Sequence, residues 1–280
     1  MDLAGRTVMV TGASGGIGAP LCAALVAAGA QVLAVGRDEA RLQHVAQALP
    51  TGRVTCVAAD VSTPAGRERL LQAARAAQPT PSVLVLAHAQ AAFGLFDEQS
   101  PDAMAQLMHT NLVAPMLILH GMLPVLLAHA SASVVVVGST FGSLAFPGFA
   151  AYSASKFGLR GLTEALAREY ADTPLRFQYL SPRATRTPFN TAAVDALNAE
   201  LKVASDAPGE VARQLVAAIA QGTSRLQVGW PEKLFARLNG LAPGLVDRNL
   251  RASLPIVRRH ARRPRPSTAE NPRHEVPSLR

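Results

Sequence analysis

Cysteine is scarce in this chain: Cys22 and Cys56 are the only two among 280 residues. They are too few and too far apart for a disulfide framework or a thiolate metal site, so reduced thiols and a cytoplasmic setting are expected. Aromatic residues are scarce too, at 5%. The apolar share comes instead from Ala, Val and Leu, which suits helices packed on a buried parallel sheet. No secretory leader is expected, because Met1-Asp2-Leu3-Ala4-Gly5-Arg6 runs straight into a strand-like segment without a basic stretch and apolar core. The most lipid-like stretch, 111–130, carries Pro115, His120, Pro124 and His129, which fits a buried helix better than a membrane span. Excess charge is missing from the body as well. Of the net +8, residues 258–280 contribute +5 (seven arginines against Glu270 and Glu275), leaving +3 for the first 257 residues. A nucleic-acid-binding face is therefore not expected.

What is present is alternation. Short Val- or Leu-rich runs at 7–11, 31–36, 53–59, 82–87, 133–139 and 175–180 alternate with helically spaced segments at 16–29, 38–49, 64–78, 101–129 and 152–171. A further helix at 208–221 and a strand at 225–229 complete the series. This order predicts an α/β fold, a doubly wound parallel sheet with right-handed crossovers and helices on both faces. No internal repeat stands out, and no domain break is visible before about residue 230.

The chemistry centres on Tyr152-Ser153-Ala154-Ser155-Lys156. On a helix, Tyr152 and Lys156 share one face. A nearby ammonium favours the phenolate, so the tyrosine pKa is expected to fall from its ordinary value toward neutral acid–base work. Ser139 closes the run Val134-Val135-Val136-Val137-Gly138, at a strand's C-terminal end, where open α/β sheets bind ligands. Taken alone, a Tyr and a Lys four apart describe nothing more than a helix with one aromatic and one cation. At the other end of the chain, Thr11-Gly12-Ala13-Ser14-Gly15-Gly16-Ile17-Gly18 joins the first strand to the first helix. Glycines there let the backbone approach a pyrophosphate at a helix N-terminus.

Together, Thr11-Gly12-x-x-x-Gly16-x-Gly18, Asp60-Val61, Asn111, Ser139 and Tyr152-x-x-x-Lys156 resemble the short-chain dehydrogenase/reductase family over residues 3–229. The resemblance implies a single Rossmann-like dinucleotide-binding domain and NAD(P)-dependent hydride transfer. It implies that Tyr152 is the acid–base group and that Ser139 positions the reacting oxygen. Lys156 would hold the nicotinamide ribose and tune Tyr152, and Asn111 would distort its helix and support a proton relay. The cofactor would lie on Gly12, Ser14, Gly16, Ile17 and Gly18, on Asp60 and Val61 near the adenine, on Ala89, on Tyr152 and Lys156, and on Pro182 and Thr187 near the nicotinamide. NADP is favoured over NAD: the second strand ends in Gly36-Arg37 rather than a carboxylate, and a guanidinium matches a 2′-phosphate.

Three departures from the family pattern stand out. The usual Asn-Asn-Ala-Gly after the fourth strand is replaced by Leu86-Ala87-His88-Ala89; His88 reads as packed or solvent-facing, with a second acid–base role as the alternative. Pro182-Arg183 replaces Pro-Gly, and Arg183 or Arg186 either meets an anionic group or faces solvent. The chain also continues past the family's core. Residues 1–230 are expected to form the catalytic domain, with an apolar substrate lid at 188–206 that points to a lipophilic carbonyl or alcohol. Residues 231–262 form an amphipathic extension, two short pieces interrupted at Pro243-Gly244. This extension packs on the domain or a subunit partner, or else contacts a membrane's inner face through 231–263. Residues 263–280 are expected to be a disordered basic tail. Homodimers or homotetramers through 101–129 and 152–171 are implied, and no metal is expected. The alternatives to an oxidoreductase are a non-catalytic nucleotide sensor or scaffold, and an epimerase or dehydratase using the same Tyr/Lys pair.

Overall fold

The computed structural model describes residues 1–262, so the expected disorder of 263–280 falls outside the described residues. Seven parallel strands lie in the order β3-β2-β1-β4-β5-β6-β7: β1 Thr7–Thr11, β2 Gln31–Gly36, β3 Val54–Ala58, β4 Val83–Leu86, β5 Ala132–Val137, β6 Leu175–Ser181 and β7 Arg225–Gln227. The winding reverses between β1 and β4, which opens a crevice beyond their C-terminal ends. β1 is buried along its whole length because both faces of the sheet are covered. Val8 and Val10 pack with α1 (Gly18–Ala27) and α8 (Pro208–Gln221), whereas Met9 packs with α3 (Pro64–Ala76) and α5 (Ala114–Leu127) on the other face.

The predicted elements are all present, with ends that differ by at most two residues. The helix expected over 101–129 differs in kind. α4 (Pro101–Met108) and α5 are joined by one π-helical turn, His109–Val113, that contains Asn111. The whole stretch 101–127 is long and apolar enough to cross a membrane by length and composition. Here, however, Ile118, Met122 and Leu126 are fully buried against the sheet.

The expected interruption of the C-terminal extension at Pro243-Gly244 is present as two helices, and the correction concerns only the length of the second. α9 (Glu232–Leu241) is short, but α10 runs from Pro243 to Ala261. Pro243 marks the break and starts the second helix, at a first-turn position where its missing N–H has no intrahelical partner to lose. Val257 and Ala261 of α10 pack with Val194 and Leu197 of α7 (Ala192–Glu200) and with Phe149.

Candidate active site

α6 spans Ala150–Glu169 and begins just after an aromatic loop that follows β5. Its first turns carry Tyr152 and Lys156 inward, and both are buried. Lys156 Nζ donates to the Val137 carbonyl at the end of β5 (3.2 Å) and stands 5.7 Å from the Tyr152 ring centroid. Ser139, two residues past β5, caps a single 3₁₀ turn (Thr140–Gly142), its Oγ accepting from Phe141 N at 3.1 Å.

The expected direction of the tyrosine shift is reversed. Burial pushes the Tyr152 phenol up to about 12, and a hydrogen bond with Ser139 only partly opposes this. The same burial pushes Lys156 down to about 8. Desolvating a phenolate outweighs the help that one hydrogen bond gives it. At neutral pH Tyr152 is therefore a protonated donor.

Asn111 is completely buried and stands behind the cavity wall. Its Oδ1 accepts from Gln90 N (2.7 Å), and its Nδ2 donates to the Gln90 carbonyl (2.9 Å) and to Ser155 Oγ (3.2 Å). Ser155 Oγ in turn donates to the Tyr152 carbonyl at 2.7 Å. One amide thus ties the segment after β4 to the helix that carries Tyr152, and the π turn is the local distortion that the family resemblance implied at this position.

Every other residue named from sequence lines one cavity of about 1110 Å³: Ser139, Tyr152, Lys156, the glycine-loop residues, Arg37, Asp60, Val61, Ala89, Pro182 and Thr187. Its floor is the crevice between β1 and β4. Gly12 has φ +69°, and a Cβ there would meet the His88 backbone at 2.8 Å, so the two loops touch only because that position is glycine. Thr187 closes over Gly16 from the far side. Ala89 sits at an ordinary negative φ, since Lys202 is the only non-glycine residue with positive φ among the described residues. A cradle of free backbone at the start of α1 fits a dinucleotide pyrophosphate.

Asp60 Oδ1 accepts from Ser62 N (3.0 Å) and Ser62 Oγ (2.7 Å), and these bonds hold its pKa below the ordinary carboxylate value. The helix cap is Thr63 rather than Asp60. Asp38 caps α2 (Glu39–Gln47) by accepting from Arg41 N. Arg37 lines the cavity at the end of β2, and so does Arg41, whose guanidinium reaches the Ser14 carbonyl at 2.9 Å.

His88 is packed. Its Nδ1 meets Thr11 Oγ1 at 2.7 Å, and its Nε2 is buried without a hydrogen-bond partner. Burial first, then the Lys156 charge, lower its pKa to about 4 against the smaller pulls of Thr110 and Asp60, so it is neutral. Arg183 lines the cavity with about 19% of its side chain exposed, and its charge is engaged by carboxylates of the chain itself. It grips Asp206 with two bonds (2.9 and 2.7 Å), lies 3.6 Å from Glu232 and donates to the Trp230 carbonyl (3.2 Å). Arg186 donates to the Ser205 carbonyl at 2.6 Å.

The sequence reading missed three features. Arg41 lies four residues beyond Arg37, on the turn where α2 begins, and that spacing was the available signal. Tyr179 reads as an ordinary strand residue, yet its hydroxyl donates to the Lys156 carbonyl at 3.1 Å. It lies where a Cβ on Gly138 or Gly142 would have to go, with contacts of 2.4 and 2.1 Å. The third is an aromatic chamber: Phe141, Phe146, Phe149, Phe189 and Phe235 line the cavity beyond Tyr152, and Phe93 packs on Phe149 at 4.8 Å. Six of the nine phenylalanines are gathered there, so their scarcity hid their concentration.

Residues 6–198 match the short chain dehydrogenase family. The chain belongs to that family. As a member it is an NAD(P)-dependent oxidoreductase. It is 32% identical over 194 residues to an uncharacterized oxidoreductase, YciK, from Escherichia coli, a match covering 67% of this chain and 77% of the relative. It is 27% identical over 256 residues to 3-ketodihydrosphingosine reductase from Bos taurus, covering 87% of this chain and 77% of that one. Among solved structures it is similar in fold to a short chain dehydrogenase from Burkholderia cenocepacia in complex with NADP (TM-score 0.77, 23% identity, 89% of this chain and 99% of that one). A second, from Burkholderia phymatum in complex with NAD, superposes with TM-score 0.79 at 21% identity, covering 88% of this chain and 96% of that one.

Two outcomes are expected from this geometry. Lys156 has a folded pKa of about 8 against an unfolded value near 10.5. Between those values the unfolded chain binds the proton and the folded chain does not, so this group's contribution to stability rises with pH across that window. Guanidinium unfolding at pH 7.5, 8.5 and 9.5 should show wild type gaining on Lys156→Met, by up to about 3 kcal/mol at full extent. Parallel curves would contradict the assignment. Gly142→Ala should cost about 1–3 kcal/mol of stability by overpacking, read in the same titration, and Gly142→Ala with Tyr179→Phe should recover part of it.

Proposed function

We propose that this oxidoreductase prefers NADP(H) and moves a hydride between the nicotinamide and the carbonyl or secondary alcohol of a lipophilic substrate. The single observation that carries this reading is one continuous cavity. A dinucleotide cradle forms one half, an aromatic chamber forms the other, and Ser139, Tyr152 and Lys156 stand where they meet. Gly12, Ser14, Gly16, Ile17 and Gly18 hold the pyrophosphate, Asp60 and Val61 the adenine, and Pro182 and Thr187 the nicotinamide end, with Ala89 along the wall. When bound, the nicotinamide supplies or accepts the hydride.

The residues do the rest. In reduction, Tyr152 donates its phenolic proton to the oxygen of the carbonyl as it becomes an alkoxide. Its high pKa keeps that proton in place until the oxygen becomes basic enough to take it. Ser139 Oγ donates a hydrogen bond to the same oxygen and fixes it opposite the phenol. Lys156 would hold the ribose hydroxyls and give one of its ammonium protons to the Tyr152 phenolate, regaining it from solvent, while Asn111 braces the helix that carries both. Water is excluded by the phenylalanines and by the segment 188–206, which acts as a lid through Val194 and Leu197.

Arg37 and Arg41 support the NADP preference, since both line the cavity beside the end of β2 while Asp38 is engaged in capping α2. Assembly as a homodimer or homotetramer through 101–129 and 152–171 is supported by Val113, Met116, Leu117, Leu127 and Phe157, large apolar side chains left exposed on those helices. The setting this implies is the cytoplasm, with peripheral membrane contact through the C-terminal helices.

Tyr152→Phe should lower turnover by about 10²–10⁴-fold while NADPH fluorescence titration gives an unchanged Kd. Near-normal rates would remove Tyr152 as the acid. Arg37→Ala and Arg41→Ala should each weaken NADPH binding about tenfold to a hundredfold, the loss expected of a charged hydrogen bond, and leave NADH binding alone. Equal loss for both cofactors would overturn the 2′-phosphate assignment.

A further inference from the structure

We propose that the turn between α9 and α10 is a lipid-docking tip, which seats the substrate end of the cavity on an anionic bilayer surface. Helix α9 contains no buried residue. Its outer stripe, Leu234 and Leu241, is 50% and 86% exposed, and Leu245 on the first turn of α10 is 63% exposed. Leu241-Ala242-Pro243-Gly244-Leu245 therefore forms a narrow apolar end with no polar side chain in it. The inner stripe of the same hairpin does different work. Phe235 on α9 and Val246, Leu250 and Ile256 on α10 line the cavity. Asn249 both lines the cavity and is exposed, one turn from Leu245, so the cavity reaches the surface beside the tip.

Charge selects the partner. Residues 230–262 carry seven cations against Glu232 and Asp247, a net of +5, whereas residues 1–229 carry only +1. Glu232 already faces Arg183. The cations nearest the leucines are Lys233, Arg237, Arg248 and Arg251. Exposed leucines ringed by arginine and lysine match an anionic headgroup layer over a hydrocarbon interior. A second copy of the chain fits this face poorly, because a two-fold contact would set the same cations against themselves. Resting on the reading of a lipophilic substrate, the arrangement lets a long-chain ketone pass from lipid into the aromatic chamber without crossing water.

The test uses the full chain and vesicles of phosphatidylglycerol mixed with phosphatidylcholine, against phosphatidylcholine alone. Cosedimentation should be about tenfold or more stronger on the anionic vesicles and should weaken with salt. Leu241→Asp with Leu245→Asp should remove most of it. The same double variant should reduce a short, water-soluble ketone with NADPH at the wild-type rate, yet reduce a long-chain ketone embedded in the vesicles several-fold more slowly. Absence of binding to anionic vesicles, or a double variant that binds like wild type, would overturn the docking tip. So would a change in oligomeric size of that variant in lipid-free solution, which assigns the face to a second copy. An unchanged rate on the embedded ketone would overturn substrate delivery. Vesicle binding by a wild-type protein that reduces no ketone would instead sink the functional reading and leave the tip standing.

Discussion

An ammonium group buried beside a phenol is the constraint around which this molecule is arranged. Lys156 is 3% exposed, and its ammonium donates to the Val137 carbonyl. Burying a charge costs several kcal/mol, of the order expected for an ion taken out of water, so its surroundings must be fixed closely. β5 must end at Val137 to present that carbonyl, and α6 must start close enough for its second turn to reach it. Tyr179 from β6 holds the lysine's own backbone, and Gly142 leaves the space for that tyrosine. Ser139, Tyr152 and Lys156 are placed by where the sheet stops.

The sheet itself could be read from the order of Val- and Leu-rich runs, because a strand buried on both faces has to be apolar along its whole length. The glycine loop and the Tyr/Lys pair could be read because their spacing is dictated by backbone geometry. What could not be read depended on side-chain environment. The direction of the Tyr152 shift turned on burial, which no spacing reveals. Tyr179 looked like strand filler because its role lies in one hydroxyl contact across the sheet. Arg183, left open between a ligand and solvent, is engaged by Asp206 and Glu232, residues 23 and 49 positions further along the chain. The break at Pro243 could be read from proline itself, but the length of the helix it starts depends on packing against α7 and Phe149.

The substitution of Leu86-Ala87-His88-Ala89 for the family's asparagines is absorbed locally. Thr11 Oγ1 accepts from Ala87 N at 3.2 Å and meets His88 Nδ1, so one hydroxyl joins the ends of β1 and β4. The site's polarity is spent sparingly on such links, and most phenylalanines line or back the chamber beyond Tyr152. In that low-polarity space each fixed donor acts more strongly than it would in water.

Arg183 extends from the turn after β6 to Asp206, at the foot of the segment over the cavity, and toward Glu232, at the first turn of the C-terminal hairpin. Two separate covers are thereby riveted to one point. Neither can swing away from the sheet without tearing charge-assisted bonds at the anchor it shares with the other. One guanidinium thus couples two stretches of chain that the sequence keeps far apart.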